Sequence, residues 1–292
     1  MTFNLQTFKT RALTAAIFVL VMLSGLLVNH WTFLILFSII HFGCWVEYQK
    51  LVALIDEGYK TITPFHKYGV MVLGWGFMLW MTNNAFNIGE VSLTEIGWWI
   101  ILILIIALPI VEIITNKDFR IKNIAHSIFG LLYISLSWGL MINLRATGIL
   151  SVGDLISIDL GWIVPLVLIA SIWINDTMAY VVGSFIGKTL FSKISPKKTW
   201  EGTIGGAVLA IATVTIAGFY AFGLNDYISL IIISSIAAIA GTAGDLFESK
   251  LKRMAGVKDS GQIMPGHGGF LDRFDSLLFA TPFVWLFMKL FL

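Results

Sequence analysis

The sequence predicts an all-α, polytopic integral membrane protein of about nine transmembrane helices with a cytoplasmic N-terminus. Three observations carry this expectation. Of its 292 residues, 58% are hydrophobic and 12% charged, whereas a soluble domain carries about 25% charged residues. At roughly 20 apolar residues per crossing, that composition fills about eight or nine spans with short connections. Apolar runs do follow one another, at about residues 12–29, 31–46, 67–82, 96–115, 124–143, 161–185, 203–223, 228–246 and 270–292. The third observation is the placement of lysine and arginine, which alternates from one connection to the next.

Taken in order, the first run follows Lys9 and Arg11 and superficially resembles a secretory signal. It ends in Leu-Val-Asn-His without a small-residue cleavage site, so it reads as a retained span. The second holds the single cysteine, Cys44, which has no partner for an intrachain disulfide and matches no metal-ligand spacing. A packed small apolar side chain is the expectation there. The third run is short, at 16 residues, and is rich in glycine (Gly69, Gly74, Gly76). Later runs carry Gly139 with Asn143, and Gly205 with Gly206, as expected where helices pack closely.

Counting Lys and Arg through successive connections gives 2, 0, 3, 0, 3, 1, 4, 0 and 4. Sixteen of the 19 fall on the side of the N-terminus and one, Arg145, on the other; Arg273 and Lys289 lie within the last run. Cytoplasmic loops carry this excess, so the pattern places the N-terminus inside and the C-terminus outside. The formal charge of +2 gives no reason to expect nucleic acid as a partner. No repeat, low-complexity tract or separate soluble domain interrupts the chain. Residues 1–160 read as a membrane-helix scaffold of about five spans, and 161–292 as the catalytic membrane region, because the connections around 186–202 and 247–269 concentrate Lys, Gly, Ser, Thr, Asp and His.

A carboxylate in hydrocarbon costs at least about 2.5–3.5 kcal/mol, so intramembrane acids mark function unless something neutralises them. The candidates are Glu112, Asp176, Asp245, Glu248, Asp272 and Asp275. Glu47 and Glu112 have no polar constellation in nearby sequence and are expected to pair with a neighbouring lysine or arginine. The topology gathers Asp176, Asp245 and Asp272 toward the cytoplasmic boundary on three different helices. A few oxygen ligands beside a lysine-rich loop suit Mg²⁺ that completes its octahedron with phosphate and water.

Two loops complete the pattern. Ser195–Gly202 reads SPKKTWEG, following Gly183, Gly187 and Lys188, with Lys197 and Lys198 as point charges for phosphate and Ser195 and Thr199 as hydroxyl donors. If the next helix begins at Thr203, its first amides would face an anion as well. The segment Gly244–Asp275 places basic side chains between two acidic helices, and Pro265, Gly266, Gly268 and Gly269 break the chain before the last run. Glycines there would let backbone amides approach phosphate. His267 alone is more often structural than a metal ligand. Neither a Walker-type loop nor a hydrolase elbow is present.

With these residues in view, the chain resembles the phosphatidate cytidylyltransferases. The family's C-terminal signature is matched in order and spacing by Ser249, Leu251, Lys252, Arg253, Lys258, Asp259, Gly261, Pro265, His267, Gly268, Gly269, Phe270, Asp272, Arg273, Phe274 and Asp275, a run of 27 positions. Met264 departs from the usual Leu, Ile or Phe. Upstream, the family's Asp-x-x-Ala-Tyr-x-x-Gly element is matched by Asp176, Ala179, Tyr180 and Gly183, and Ser-Pro-Lys-Lys-Thr-x-Glu-Gly begins at Ser195. Residues 170–280 match by motif, and the first 160 only in hydrophobicity.

The resemblance implies a bacterial-type inner-membrane enzyme that uses CTP and Mg²⁺ to convert phosphatidate into CDP-diacylglycerol and pyrophosphate, with its active site facing the cytoplasm and a homodimer plausible. The lipid phosphate would be the nucleophile, leaving positioning and charge neutralisation to the protein. On this reading Asp245 and Asp272 hold the metal, with Asp176 and Asp275 as second choices. Lys188, Ser195, Lys197, Lys198 and Thr199 meet the CTP phosphates. Ser249, Lys252 and Arg253 bind substrate, and Lys258, His267 and Arg273 join the catalytic set. The alternatives are a cytidylyltransferase for another lipid phosphate, a polyprenol kinase or, in a different class, an ion-coupled transporter.

Overall fold

The computed structural model describes residues 5–152, 156–223, 226–262 and 268–291. The chain forms two compact units: residues 1–162 with 254–273, and residues 163–253 with 274–292. Helices dominate both, and each expected apolar run corresponds to helix.

In the first unit, α1 (Leu5–Leu27) leads into α2 (His30–Ile55), whose start is fixed by a reciprocal cap. The Asn29 side chain accepts from the Thr32 amide at 2.9 Å, and the Thr32 hydroxyl accepts from the Asn29 amide at 3.2 Å, which satisfies two orphan donors of the first turn. A 3-10 turn (Glu57–Thr61) precedes α3 (Pro64–Trp80), which has Thr63 as its cap and proline at its first position, where the missing amide costs nothing. A short hairpin of β1 (Asn87–Ile88) and β2 (Val91–Ser92) leads to α4 (Leu93–Thr115). Next come α5 (Ile121–Gly130), a π-helical turn (Leu131–Ser135) and α6 (Leu136–Thr147), then a second antiparallel hairpin of β3 (Ile149–Val152) and β4 (Ile156–Asp159).

The core of this unit is aromatic and centred on α2. Phe33, Phe37, Trp45, Tyr48 and Cys44 are buried, in keeping with the expectation for the cysteine. The π-helical turn presents Ser135 to α2, where the Trp45 indole donates to its Oγ at 2.9 Å and His41 Nε2 lies at 3.0 Å. α3 and α4 meet at backbone distance, because a Cβ on Gly97 would collide with Gly76 and Trp80.

Glu112 departs from expectation. It is 2% exposed and, among the described residues, pairs with no lysine or arginine. Thr63 Oγ1 donates to it at 2.5 Å, Asn116 Nδ2 at 2.6 Å, and His66 Nδ1 lies at 3.5 Å. The reason is tertiary: the α3–α4 contact brings the first turn of α3 beside this acid, and Asn116 is one helical turn away. Arg145, the lone basic residue assigned to the outer side, is 1% exposed and grips Asp159 through both terminal nitrogens at 2.5 Å.

The second unit consists of α7 (Ile163–Ile186), α8 (Trp200–Phe222), α9 (Tyr227–Met254) and most of α10 (Leu271–Phe291). The Ser171 hydroxyl of α7 donates to Ser234 of α9 at 3.1 Å. Phe247 of α9 lies 5.1 Å from Phe279 of α10 between ring centroids.

Among the described residues, seven helices have the length and composition to cross a membrane, Ile121–Thr147 counting as one. The two remaining expected spans are α3, with 17 residues, and Leu13–Leu27 of α1, a shorter apolar helix. At 1.5 Å per residue α3 reaches only about 25 Å, less than the roughly 30 Å hydrocarbon core. Its buried positions include His66, Gly74 and Gly76.

Candidate active site

In the second unit, α7 and α8 approach as closely as helices can. A Cβ on Gly202 would lie 2.7 Å from the Ala179 carbonyl and 2.9 Å from Gly183 Cα, and one on Gly206 would lie 2.7 Å from the Ala179 amide and 2.8 Å from the Asn175 carbonyl. Small residues at these crossings give backbone proximity. They also aim Asp176 and Tyr180, on the same turns of α7, at the connection that follows.

That connection is a tight arch. The Phe191 amide donates to the Lys198 carbonyl at 2.9 Å, the Trp200 amide to Thr189 at 3.0 Å, and the Lys198 amide to Ser195 at 3.1 Å. Glu201 closes the base, accepting from the amides of Lys188 and Thr189 and from the Thr189 hydroxyl at 2.7 Å. α8 begins at Trp200, three residues earlier than the anion-binding expectation required, and Thr199 caps it by accepting from the Gly202 amide at 3.2 Å. The Thr203 amide donates to the Thr199 carbonyl at 2.9 Å. These early amides are therefore satisfied within the protein and do not face an anion.

Arch, α7, α8 and α9 together enclose a cavity of about 550 Å³ lined by Asp176, Tyr180, Ser195, Lys197, Lys198, Thr199 and Asp245 among others. Six residues predicted from the sequence thus meet in one place: two acids, two lysines and two hydroxyls. The Lys198 ammonium pairs with Asp245, and the Ser249 hydroxyl donates to the other Asp245 oxygen at 3.3 Å. Lys188 contributes its amide to Glu201 and does not line the cavity. Lys252 pairs with the fully buried Glu248 at 2.5 Å, one helical turn away. Arg253 is exposed.

Asp275 is buried on α10, and the charges of Asp245, Glu248 and Asp176 all act on it. Gly244 permits this crowding, since a Cβ there would press 2.5 Å from the Asp275 carbonyl. No three His, Cys, Asp or Glu side chains come together as a ready-made metal cluster among the described residues. The donor set is nevertheless all oxygen, it is rich in like charge, and one member already draws a cationic ammonium. That chemistry fits a hard divalent ion that takes its remaining ligands from phosphate and water.

In the first unit the signature loop is built around two acids. Asp272 Oδ2 accepts from the Ser260 amide at 2.9 Å, the Gly269 amide at 2.8 Å and the Ser260 hydroxyl at 3.0 Å. Glu47 of α2 is 5% exposed. It accepts from the Phe270 and Leu271 amides, both at 2.9 Å, and from the Ser260 hydroxyl at 2.7 Å. The expected lysine or arginine partner for Glu47 is replaced by backbone donors at the start of α10. For Gly269 the structure also corrects the expectation of an amide facing phosphate, because that amide is taken by Asp272. Gly268 has φ +86°, in the left-handed region that favours glycine. Lys258 and Arg273 are exposed. His267, with Pro265 and Gly266, lies outside the described residues.

Glu47 and Ser260 are the anchors of the signature segment that sequence reasoning missed. The signal for Glu47 was present, an acid inside an apolar run. Its partners lie 213 to 224 residues away, beyond any local pattern.

Comparison with known proteins identifies the family. The model of the cytidylyltransferase family matches residues 9–291. A phosphatidate cytidylyltransferase of Bacillus subtilis is 35% identical over 222 residues, 76% of this chain and 77% of that one. One from Thermotoga maritima is 31% identical over 263 residues, 85% of this chain and 90% of its own. A chloroplastic one from Arabidopsis thaliana is 35% identical over 183 residues, 58% and 47% of the two chains.

Proposed function

Because the chain belongs to the cytidylyltransferase family, we propose that the cavity between α7, α8 and α9 is where it carries out its reaction. The protein is a multi-pass membrane nucleotidyltransferase that passes CMP from CTP to phosphatidate, giving CDP-diacylglycerol and pyrophosphate. A phosphatidate oxygen attacks the α-phosphorus of CTP. The bond from that phosphorus to the bridging oxygen breaks, and pyrophosphate leaves with the electron pair. No protein nucleophile is needed, so the residues act by holding two anions together and spreading developing charge.

The observation that carries this reading is the convergence of Asp176, Ser195, Lys197, Lys198, Thr199 and Asp245 on one cavity. Lys197 and Lys198 neutralise phosphate oxygens, and the Ser195 and Thr199 hydroxyls orient them. Asp245 and Asp272 are the ligands proposed for Mg²⁺, with Asp176 and Asp275 as second choices; the ion, when bound, lowers the charge of the triphosphate. Arg273 and Lys258, exposed on the signature segment, add cations for phosphate. The excess of lysine and arginine on one set of connections supports a cytoplasmic N-terminus and an active site facing the cytoplasm of a bacterial inner membrane. Pairing of two copies is part of the same reading, tested by cross-linking in native membranes.

An assay on purified full-length protein with phosphatidate vesicles and CTP labelled at the α or the γ phosphate tests the reaction. Transfer of the α label to lipid with release of pyrophosphate is the expected outcome. Transfer of the γ label would make the protein a kinase, and transfer of neither would overturn the enzyme reading. EDTA should abolish the α transfer and excess Mg²⁺ should restore it; turnover that survives EDTA would remove the metal from the proposal.

A further inference from the structure

The carboxylate of Glu47 is buried on α2, yet its three hydrogen bonds among the described residues go to the signature segment more than 200 residues away. Removing an ion from water costs several kcal/mol unless its lone pairs are matched, and here the loop matches them. The fit is specific on the loop side too. A Cβ on Gly261 or Gly269 would overlap the Glu47 carboxylate, so these glycines make room for an acid of the protein itself.

Ser260 is the joint between the two acids. Its single hydroxyl proton faces Glu47 Oε2 at 2.7 Å and Asp272 Oδ2 at 3.0 Å, while its amide also donates to Asp272. Glu47 holds the Phe270 amide just before α10 and the Leu271 amide that begins it, and Asp272 follows immediately on the first turn. The Arg273 amide in turn donates to the Phe270 carbonyl at 3.1 Å.

We propose that Glu47 is a positioning residue for cytidylyl transfer, fixing Asp272 and Arg273 through the Ser260 hydroxyl and the Phe270 and Leu271 amides; this rests on the reaction proposed above. The N-terminal helices are then part of the catalytic apparatus as well as its scaffold.

Glu47→Gln keeps the volume but replaces one acceptor edge with an NH₂ that faces backbone donors. With the wild type active, Glu47→Gln should lower kcat roughly 10- to 100-fold, as loss of a partner orienting a reactive side chain does. KM for CTP and phosphatidate should change by less than about 3-fold, with rates normalised to the monodisperse fraction. Ser260→Ala should lower kcat by roughly 3- to 10-fold, in line with a single hydrogen bond. The double variant should be no slower than Glu47→Gln, because the two act through one linkage.

A wild-type kcat in well-folded Glu47→Gln overturns the proposal, as does a loss of activity that disappears once rates are normalised to the folded fraction. If Glu47→Gln does not fold, Ser260→Ala decides: a lowered kcat supports the role and an unchanged one removes it. A wild type that makes no CDP-lipid would instead sink the reaction itself, a separate result.

Discussion

Lys198 and Asp245 pair inside the cavity with side-chain exposures of 26% and 28%, so water still screens them. A salt bridge of this kind contributes about 1 kcal/mol or less to stability, whereas a preorganised charge at a reacting phosphate is worth roughly 100- to 1,000-fold in rate. Asp245→Asn should therefore reduce turnover by at least about 100-fold and leave the yield of monodisperse protein unchanged, measured by labelled-CTP assay beside size-exclusion chromatography. Other charges in the chain work the opposite way. Lys252 is tied to buried Glu248, and Glu112 to Thr63, Asn116 and His66. Motif membership alone did not separate these duties: Lys252 and Lys198 both lie in signature elements, and only Lys198 lines the cavity.

The α7–α8 pair is the element on which the cavity depends. Its crossing leaves no space for a side chain at Gly206, where the nearest atoms are the Ala179 amide and Cβ and the Asn175 carbonyl, none of which can rotate away. Gly206→Val should force the helices apart, costing about 1–3 kcal/mol and lowering the thermal midpoint and activity together. Thr199→Ala tests the other end of the element, since it removes the cap that ends the arch and starts α8. A loss of about 1 kcal/mol is expected, seen as a lower midpoint in a thermal melt. The sequence showed that Ser195–Gly202 was more than a topology signal, because bare positive charge needs no Pro, Thr and Glu. It did not show the arch, whose rungs join Thr189 to Trp200 and Phe191 to Lys198. Those pairings depend on backbone direction, which single residues encode weakly.

For the molecule as a whole, acid is an informative probe, because several basic side chains of the first unit converge on Asp56. The Lys122 ammonium lies 2.8 Å from its carboxylate, Arg120 at 3.4 Å and His126 at 3.3 Å. Hydrogen bonding to Lys122, against some opposition from burial and with help from the Gly58 amide, holds the Asp56 carboxyl well below the usual carboxylate range. Its folded pKa is thus depressed, so its contribution is fully present above the unfolded value of about 3.9 and disappears as pH falls through the folded one. Thermal melts below pH about 4 should show a falling midpoint, and Lys122→Met should make that fall shallower. A melt unaffected by acid would remove Asp56 from the forces that hold this unit.

What the sequence determined by itself was the membrane character, the helical runs, the family and the majority of the cavity residues. These depend on composition, on helix-length apolar segments and on motifs whose spacing is local. The tertiary structure decided the rest: that Glu112 pairs across α3 and α4, that the amides at Gly202 and Gly269 are already satisfied, and that Glu47 supports the signature loop. Each of these is a polar group whose partner lies on another part of the chain. Hydrophobic periodicity identifies which segments leave water, but a buried donor or acceptor is satisfied by whatever the packed helices place within about 3 Å, and chain order carries no record of that distance.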